Sequence, residues 1–226
     1  CSFFSDSLSK KNEHIEILKR FQNGEIDILI GTQMIAKGLD NKNVTLVGVI
    51  NADLSFNLPD YRSSERGFSI LTQVAGRSGR GDREGKVIFQ TYNENNIFLQ
   101  NAKEQNFEAF YENEIELREM LDYPPFSKMI RIILSSKNEY RAEKSALEIE
   151  LHLSEYVKKL SLDETLIILG PAPCVINKIK EEYRFNIIIK NKINDLGHRT
   201  ILRFLKSIKL PSDIKMTVDI DPSDIL

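Results

Sequence analysis

The run Val44-Thr45-Leu46-Val47-Gly48-Val49-Ile50 constrains the fold of this chain more than any other segment. A stretch this apolar, and mostly β-branched, predicts a strand buried on both faces, the pattern of parallel sheets covered by helices on each side. Ile26-Asp27-Ile28-Leu29-Ile30 and Lys86 to Thr91 predict two more strands. Helical signals alternate with them. Lys11 to Gln22 places Ile15, Leu18 and Phe21 on one stripe and closes at Asn23-Gly24, and Ser63 to Ala75 stops at Gly76. Strands alternating with helices predict an open α/β sheet.

Residues 95–121 read as a charged helical stretch whose apolar positions are Phe98, Phe107, Phe110, Ile115 and Leu117. The three phenylalanines predict a core between two domains. Tyr123-Pro124-Pro125-Phe126 then interrupts the chain. Two prolines remove two backbone donors and push the residues before them toward extended conformations. A boundary is expected here, giving domains 1–122 and 123–226. In the second, Met129–Leu134, Thr165–Leu169, Tyr183–Lys190 and Lys215–Ile220 read as strands, and Tyr140–Leu160 and Asp195–Ile208 as helices. The order βαββαβ predicts a small α+β domain of the split-βαβ, ferredoxin-like kind.

The chain has 31 Lys and Arg against 33 Asp and Glu, so it lacks the basic footprint of a protein held on nucleic acid by bulk charge. Contacts to nucleic acid must come from local clusters. Two cysteines, Cys1 and Cys174, with no Cys-x-x-Cys pair, argue against a zinc site or a disulfide framework and fit a reducing, cytoplasmic setting. No apolar run approaches the roughly 20 residues that span a bilayer, so no membrane partner is expected. The start at Cys1-Ser2-Phe3-Phe4 reads as the beginning of a fragment.

The sharpest chemical signal is Gln73-Val74-Ala75-Gly76-Arg77-Ser78-Gly79-Arg80-Gly81, directly after a predicted helix. Glycines let a backbone turn tightly and approach a ligand, and arginine offers a permanent charge and a fork that suits phosphate. An arginine aimed at a transferring phosphoryl group stabilises its charge. A solvated basic turn is the other reading of the arginines and glycines alone. The second signal, Gly31-Thr32-Gln33-Met34-Ile35-Ala36-Lys37-Gly38-Leu39-Asp40, follows a predicted strand. In open α/β sheets ligands sit at the carboxyl ends of strands, so Thr32, Gln33 and Lys37 are placed to meet a phosphate backbone. A strand-to-helix cap with Thr32 as N-cap fits equally. Asp53, after the apolar run, reads either as a switch-type carboxylate or as a strand-end turn residue. In the second domain, Lys178, Lys180, Arg184 and Lys190 lie around Tyr183 and Phe185. Basic residues among aromatics suit a phosphate track with base stacking, and a charged edge strand is the alternative. His14, His152 and His198 are scattered and read as surface or helix residues rather than catalysts. No Gly-x-x-x-x-Gly-Lys-[Ser/Thr] loop occurs to cradle β- and γ-phosphates, so the chain by itself is not expected to hydrolyse ATP.

The two signals resemble motifs V and VI of superfamily 2 helicases. Together with Leu58-Pro59-Asp60-Tyr61-Arg62-Ser63-Ser64-Glu65-Arg66, Tyr123-Pro124-Pro125-Phe126, Gly170-Pro171-Ala172-Pro173, Tyr183-Arg184 and Asp219-Ile220-Asp221-Pro222, they resemble the PriA family, primosomal protein N′, over nearly the whole chain. The resemblance implies a RecA-like helicase lobe 2, a parallel sheet with flanking helices, followed by the family's C-terminal domain. It implies an ATP-dependent DNA helicase moving 3′ to 5′ that recognises stalled forks and starts primosome assembly. Arg77 and Arg80 would reach the γ-phosphate, with Gln73 positioning them or sensing the nucleotide. Gly38, Asp40 and Gly76 would shape the nucleotide side, and Thr32, Gln33 and Lys37 the DNA side. Lys178 and Arg184 would contact DNA in the second domain. ATP with magnesium is the implied cofactor, held chiefly by another lobe. The zinc of the family is implied to lie outside this chain, whose lobe would begin after the cysteine-rich insertion. The implied partners are forked and single-stranded DNA, single-strand DNA-binding protein, and primosome and helicase-loading proteins. A binding module alone, or another superfamily 2 translocase, are the competing readings.

Overall fold

The computed structural model of the chain describes residues 2–4, 11–32, 44–76, 85–192 and 195–225. These form two compact units, Cys1–Leu58 with Arg62–Asn113, and Pro59–Tyr61 with Glu114–Leu226.

In the first unit, β1 (Ser2–Phe4) pairs in parallel with β2 (Leu29–Gly31), and β3 (Leu46–Val49) pairs in parallel with β4 (Lys86–Phe89). Helix α1 (Lys11–Gln22) links the first pair, and α2 (Ser63–Ala75) lies between β3 and β4 in the chain. Parallel strands joined through helices are the α/β pattern that the alternation of runs predicts. One expectation fails in detail. The strand read as buried on both faces is packed on one face only among the described residues. Val49 and Phe89 pack on a cluster formed by Ala52, Phe56, Phe68, Leu71, Leu99, Ala102 and Phe110. Leu46, Ile50 and Ile88 face away and are exposed. An apolar run fixes strand character, whereas what covers each face depends on elements distant in sequence.

The helical stretch at 95–121 is two helices, α3 (Ile97–Glu104) and α4 (Phe107–Met120). Asn96 caps α3, its Oδ1 accepting from the Phe98 and Leu99 amides at 3.0 and 3.2 Å. Gln105 then ends it in a left-handed conformation, φ 53°, and Asn106 Oδ1 accepts from the Ala109 amide to open α4. Phe98 and Phe110 belong to the first unit's own core, with Phe68 and Phe110 stacked at 4.2 Å, while Phe107 is exposed. They are not a layer between domains. Gly67 shows why α2 tolerates a glycine mid-helix: a Cβ there would lie 2.8 Å from the Phe56 ring.

The second unit holds β5 (Lys128–Ser136), α5 (Glu139–Lys159), β6 (Leu166–Ile179), β7 (Glu182–Asn191), α6 (Asp195–Ser207) and β8 (Lys215–Ile220). The sheet is antiparallel in the order β6-β7-β5-β8. The two strands of each βαβ half are therefore separated by one strand of the other, β5 and β6 by β7 and β7 and β8 by β5, which is the split arrangement the element order predicts. Ile130, Ile132 and Leu134 of β5 and Phe185, Ile187 and Ile189 of β7 meet Ala146, Ile149 and Leu153 of α5 and Ile201 and Leu205 of α6. The strand expected to end at Leu169 instead continues through Pro171 and Pro173 to Ile179. It can do so because β6 is an edge strand, where a missing N–H costs no ladder bond. Its register shifts between Leu169 and Ala172. Gly170 takes φ +100° there, and a Cβ would lie 2.8 Å from the Asn186 carbonyl oxygen.

Candidate functional site

Helix α2 ends at Gly76, directly before Arg77 in sequence. Gln73 is half-buried in its last turn. Thr72 Oγ1 donates to the Phe68 carbonyl at 2.7 Å, and Gly76 caps the helix, its amide donating to the Thr72 carbonyl at 3.0 Å. Gly76 has φ −71° and ψ 0°, and a Cβ on it would meet nothing nearer than the Thr72 oxygen at 3.5 Å. The helix end therefore does not itself require glycine. Gln73 and Gly76 are brought together at one helix terminus, and Arg77 and Arg80 follow in sequence, outside the described residues. Thr32 is exposed just past β2. Gln33, Lys37, Gly38 and Asp40 also lie outside the described residues.

Asp53 sits in the short 3-10 helix Ala52–Ser55 after β3. Its Oδ1 accepts from Thr91 Oγ1 at 2.7 Å and its Oδ2 from the Tyr92 amide at 2.8 Å. These two bonds, the Thr91 hydroxyl first, hold its carboxyl below the ordinary value of 3.8. The Ala52 amide also donates to the Gln90 carbonyl at 2.9 Å. Asp53 thus stands in the turn that follows β3, and its carboxylate fastens that turn to the residues just after β4.

Lys178 and Arg184 lie on the β6–β7 hairpin. Lys178 Nζ sits 4.8 Å from the Tyr183 ring centroid and 3.0 Å from Glu181 Oε2, and the Glu181 bond raises its pKa. Arg184 Nη1 donates to the Ile176 carbonyl at 3.3 Å. The hairpin tip, Lys180 and Glu181, takes φ of 49° and 65°, the two-residue I′ geometry that favours Asn-Gly. Left-handed backbone with these long side chains costs on the order of 1 kcal/mol each. Val175 and Ile176 are exposed on the same arm. Two residues of the expected phosphate track are otherwise engaged. Phe185 is in the core, and Lys190, 7% exposed, donates to the Leu121 carbonyl at 2.7 Å. Burial lowers its pKa. Since β7 is interior to the sheet, the edge-strand reading can apply only to β6.

Cys174, 3% exposed, lies 3.8 Å from Arg131 Nη2. A guanidinium against the sulfur disfavours a bound cation, so the residues here do not fit zinc. Among the described residues no group of three or more His, Cys, Asp or Glu side chains could hold a metal. No helix among them is long and apolar enough to cross a membrane. His198 is buried in α6, and its Nε2 has no hydrogen-bond partner among the described residues.

Sequence reasoning assigned no role to a constellation that the second unit builds around Tyr61. Tyr61 Oη donates to the Pro222 carbonyl at 3.0 Å. Its ring stacks on Tyr123 at 5.4 Å and 16°. Arg118 Cζ lies 5.5 Å from the Tyr61 centroid, and Lys190 Nζ 3.7 Å from that of Tyr123. Asp60 Oδ2 accepts from the Ile225 amide at 2.9 Å. The only sequence signal was the presence of Pro59-Asp60-Tyr61, Tyr123-Pro124-Pro125 and Asp221-Pro222 as separate recognisable motifs.

Residues 3–82 match the helicase conserved C-terminal domain, and residues 119–223 match the primosomal protein N C-terminal domain. The class is thus a RecA-like second helicase lobe followed by a primosomal C-terminal domain. The chain is 41% identical over 225 residues to the replication restart protein PriA of Synechocystis sp., covering 99% of this chain and 26% of that protein. It is 39% identical over 221 residues to PriA of Borreliella burgdorferi, covering 98% and 33%. It is 37% identical over 220 residues to PriA of Bacillus subtilis, covering 96% and 27%. The chain belongs to the replication restart protein PriA family, and it spans about a quarter to a third of the length of these relatives.

Proposed function

We propose that this chain is the second helicase lobe and C-terminal domain of an ATP-dependent DNA helicase that moves 3′ to 5′, recognises stalled forks and starts primosome assembly. The observation that carries this reading is the order of the two domain matches along one chain, with Gln73 and Gly76 set at the end of α2 just before Arg77 and Arg80. The donor set fits a triphosphate. Gln73 to Gly81 offers two guanidiniums and a carboxamide and no carboxylate. Bound ATP, with magnesium, supplies the phosphoryl transfer that drives movement. Arg77 and Arg80 neutralise charge on the phosphates, and Gln73 orients them. Gly38 and Asp40 relay the state of the site toward Thr32, Gln33 and Lys37 at the DNA backbone.

In the second unit, Lys178 and Arg184 hold the hairpin arm against DNA through phosphates, with Tyr183 beside them as a stacking surface. Forked and single-stranded DNA, single-strand DNA-binding protein, and primosome and helicase-loading proteins are the partners of the whole protein, which acts in the cytoplasm. The chain alone is expected to lack turnover. The test is Arg77→Ala in the longer protein. DNA-stimulated ATP hydrolysis should fall by about 10³-fold or more with nucleotide affinity nearly unchanged. Turnover at the parental rate would remove Arg77 from the site, and DNA-stimulated hydrolysis by the chain alone would overturn the division of the site between lobes.

A further inference from the structure

The sheet of the second unit has two edges of different character. At one edge, β6 contains Pro171 and Pro173, and its register shifts between Leu169 and Ala172 and again between Pro173 and Lys178. Prolines and broken register keep a further strand from adding to an edge. At the other edge, β8 runs Lys215-Met216-Thr217-Val218-Asp219-Ile220 in unbroken register against β5, with no proline. Among the described residues β8 pairs with β5 alone.

The bond at its far end fixes which backbone groups of β8 point outward. The Asp221 amide donates to the Met129 carbonyl at 2.8 Å, and these residues stand opposite each other, one step beyond the Ile130 and Ile220 pair. Bonded and non-bonded pairs alternate along an antiparallel ladder. Thr217 and Asp219 therefore bond to Ile133 and Arg131 of β5, while the N–H and C=O groups of Met216, Val218 and Ile220 point away from the sheet. No hydrogen bond satisfies these outward groups among the described residues. The same three side chains share the helix-covered face with Ile130, Ile132 and Leu134, because faces alternate along a strand. Met216 and Val218 pack at the border of the core. Ile220 is 47% exposed. Thr217 and Asp219 are exposed on the other face.

We propose that β8 pairs antiparallel with β8 of a second copy of this chain, about a two-fold axis at Val218, and so joins two four-stranded sheets edge to edge. In this register Met216 stands opposite Ile220 of the second copy, and Val218 opposite Val218. Every outward N–H and C=O of the strand then gains a partner, and the exposed Ile220 gains an apolar neighbour. On the other face Thr217 stands opposite Asp219, a hydroxyl meeting a carboxylate. Lys215, already paired with Glu182 in its own copy, stands opposite Asp221. No like charges oppose each other, so β8 is complementary to itself in both apolar pattern and charge. An axis at Thr217 would instead pair Ile220 with Ile214, whose amide is committed to the Pro211 carbonyl at 3.1 Å. The pairing closes at a dimer, because the edges left over are the proline-bearing β6 strands. So short an interface buries less than the roughly 800 Å² per partner of a standard complex, and a dissociation constant on the order of 100 µM is expected. The pairing is independent of the helicase reading, since it involves neither nucleotide nor DNA.

The test is light scattering and hydrogen exchange on this chain as its concentration is raised. The parental chain should pass from monomer to dimer between about 1 µM and about 1 mM, as mass action requires. Over that range the Met216, Val218 and Ile220 amides should slow severalfold in exchange. Those of Thr217 and Asp219, bonded to β5 at every concentration, should change little. Thr217→Asp sets a second carboxylate opposite Asp219 on both sides of the axis and should weaken the dimer about tenfold. Combining Thr217→Asp with Asp219→Thr restores a hydroxyl facing a carboxylate and should return the affinity to within about threefold of the parental value. Both positions are exposed, so these variants report pairing rather than folding. A parental chain that stays monomeric across the range would overturn the proposal, as would a dimer indifferent to Thr217→Asp or a double variant that fails to restore it. In the longer protein, slow exchange of the three amides at the dilute end, with no dimer present, would also overturn it, since a strand of the same chain would then occupy the edge.

Discussion

The two units solve the problem of a core differently. The second closes an aliphatic core between a four-stranded antiparallel sheet and two helices, with Ile130, Ile132, Ile187 and Ile189 fully buried on its central strands. The first gathers a smaller, ring-rich core of Phe56, Phe68, Phe98 and Phe110 beside short parallel pairs, and leaves Leu46, Ile50 and Ile88 exposed among the described residues. The antiparallel unit satisfies itself through neighbours in sequence and in space. The parallel unit depends on crossovers, and the residues proposed for its chemistry stand at the ends of its elements: Thr32 after β2, Gln73 and Gly76 at the end of α2. The difference teaches where each kind of damage should register, as stability in one unit and as turnover in the other.

The largest stability effect should come from the second unit. Ile132→Ala empties a fully buried site on the central strand and should cost about 2–5 kcal/mol in chemical denaturation. Val49→Ala, at a half-buried site beside the phenylalanine cluster, should cost less than half of that. Equal losses would erase the contrast between the cores. Next in size, the double reversal Lys178→Glu with Arg184→Glu should weaken fork-DNA binding by the longer protein and lower the slope of log affinity against log salt by about 1 to 2. Basal ATP hydrolysis should stay as it was. Unaltered binding would leave the hairpin arm as a charged edge and nothing more.

The smallest effect concerns Asp53. Its folded pKa lies below the ordinary 3.8, so its contribution is present above pH 3.8 and is lost as the pH falls through the folded value. Asp53→Asn should melt below the parental chain at pH 7, and the gap should narrow as the pH drops below 3.8. A gap that stays constant with pH would detach the carboxylate charge from the tie between β3 and β4.

The sequence was most legible where a local rule acts alone. Lys11–Gln22, Ser63–Ala75 and Lys215–Ile220 have the bounds their periodicity and caps predict. The βαββαβ order led to the sheet order because short connections leave few topologies to choose from. Legibility failed where two local signals competed or where a distant partner decided the outcome. The prolines after Leu169 read as a stop, yet the strand continues because its outer edge needs no donor there. The charged stretch at 95–121 reads as helical without a marked break, yet Asn96 and Asn106 each open a helix of their own. Lys190 read as a phosphate contact, and its four-carbon stem instead carries the charge onto Tyr123.

The candidate site divides in the same way. The sequence by itself determined the family and the chemical types at the helix end, since glycine, glutamine and arginine at that spacing are properties of a short contiguous stretch. Only the tertiary structure decided that Tyr61, Arg118, Tyr123 and Lys190 form one stack, because their separations of up to 129 positions leave no periodic trace in the chain. Hydrophobic periodicity encodes which face of an element is buried. It does not encode which distant ring will lie against it, and that pairing is settled when the sheet of the second unit brings Leu121–Phe126, Lys190 and Pro222 around the captured tripeptide.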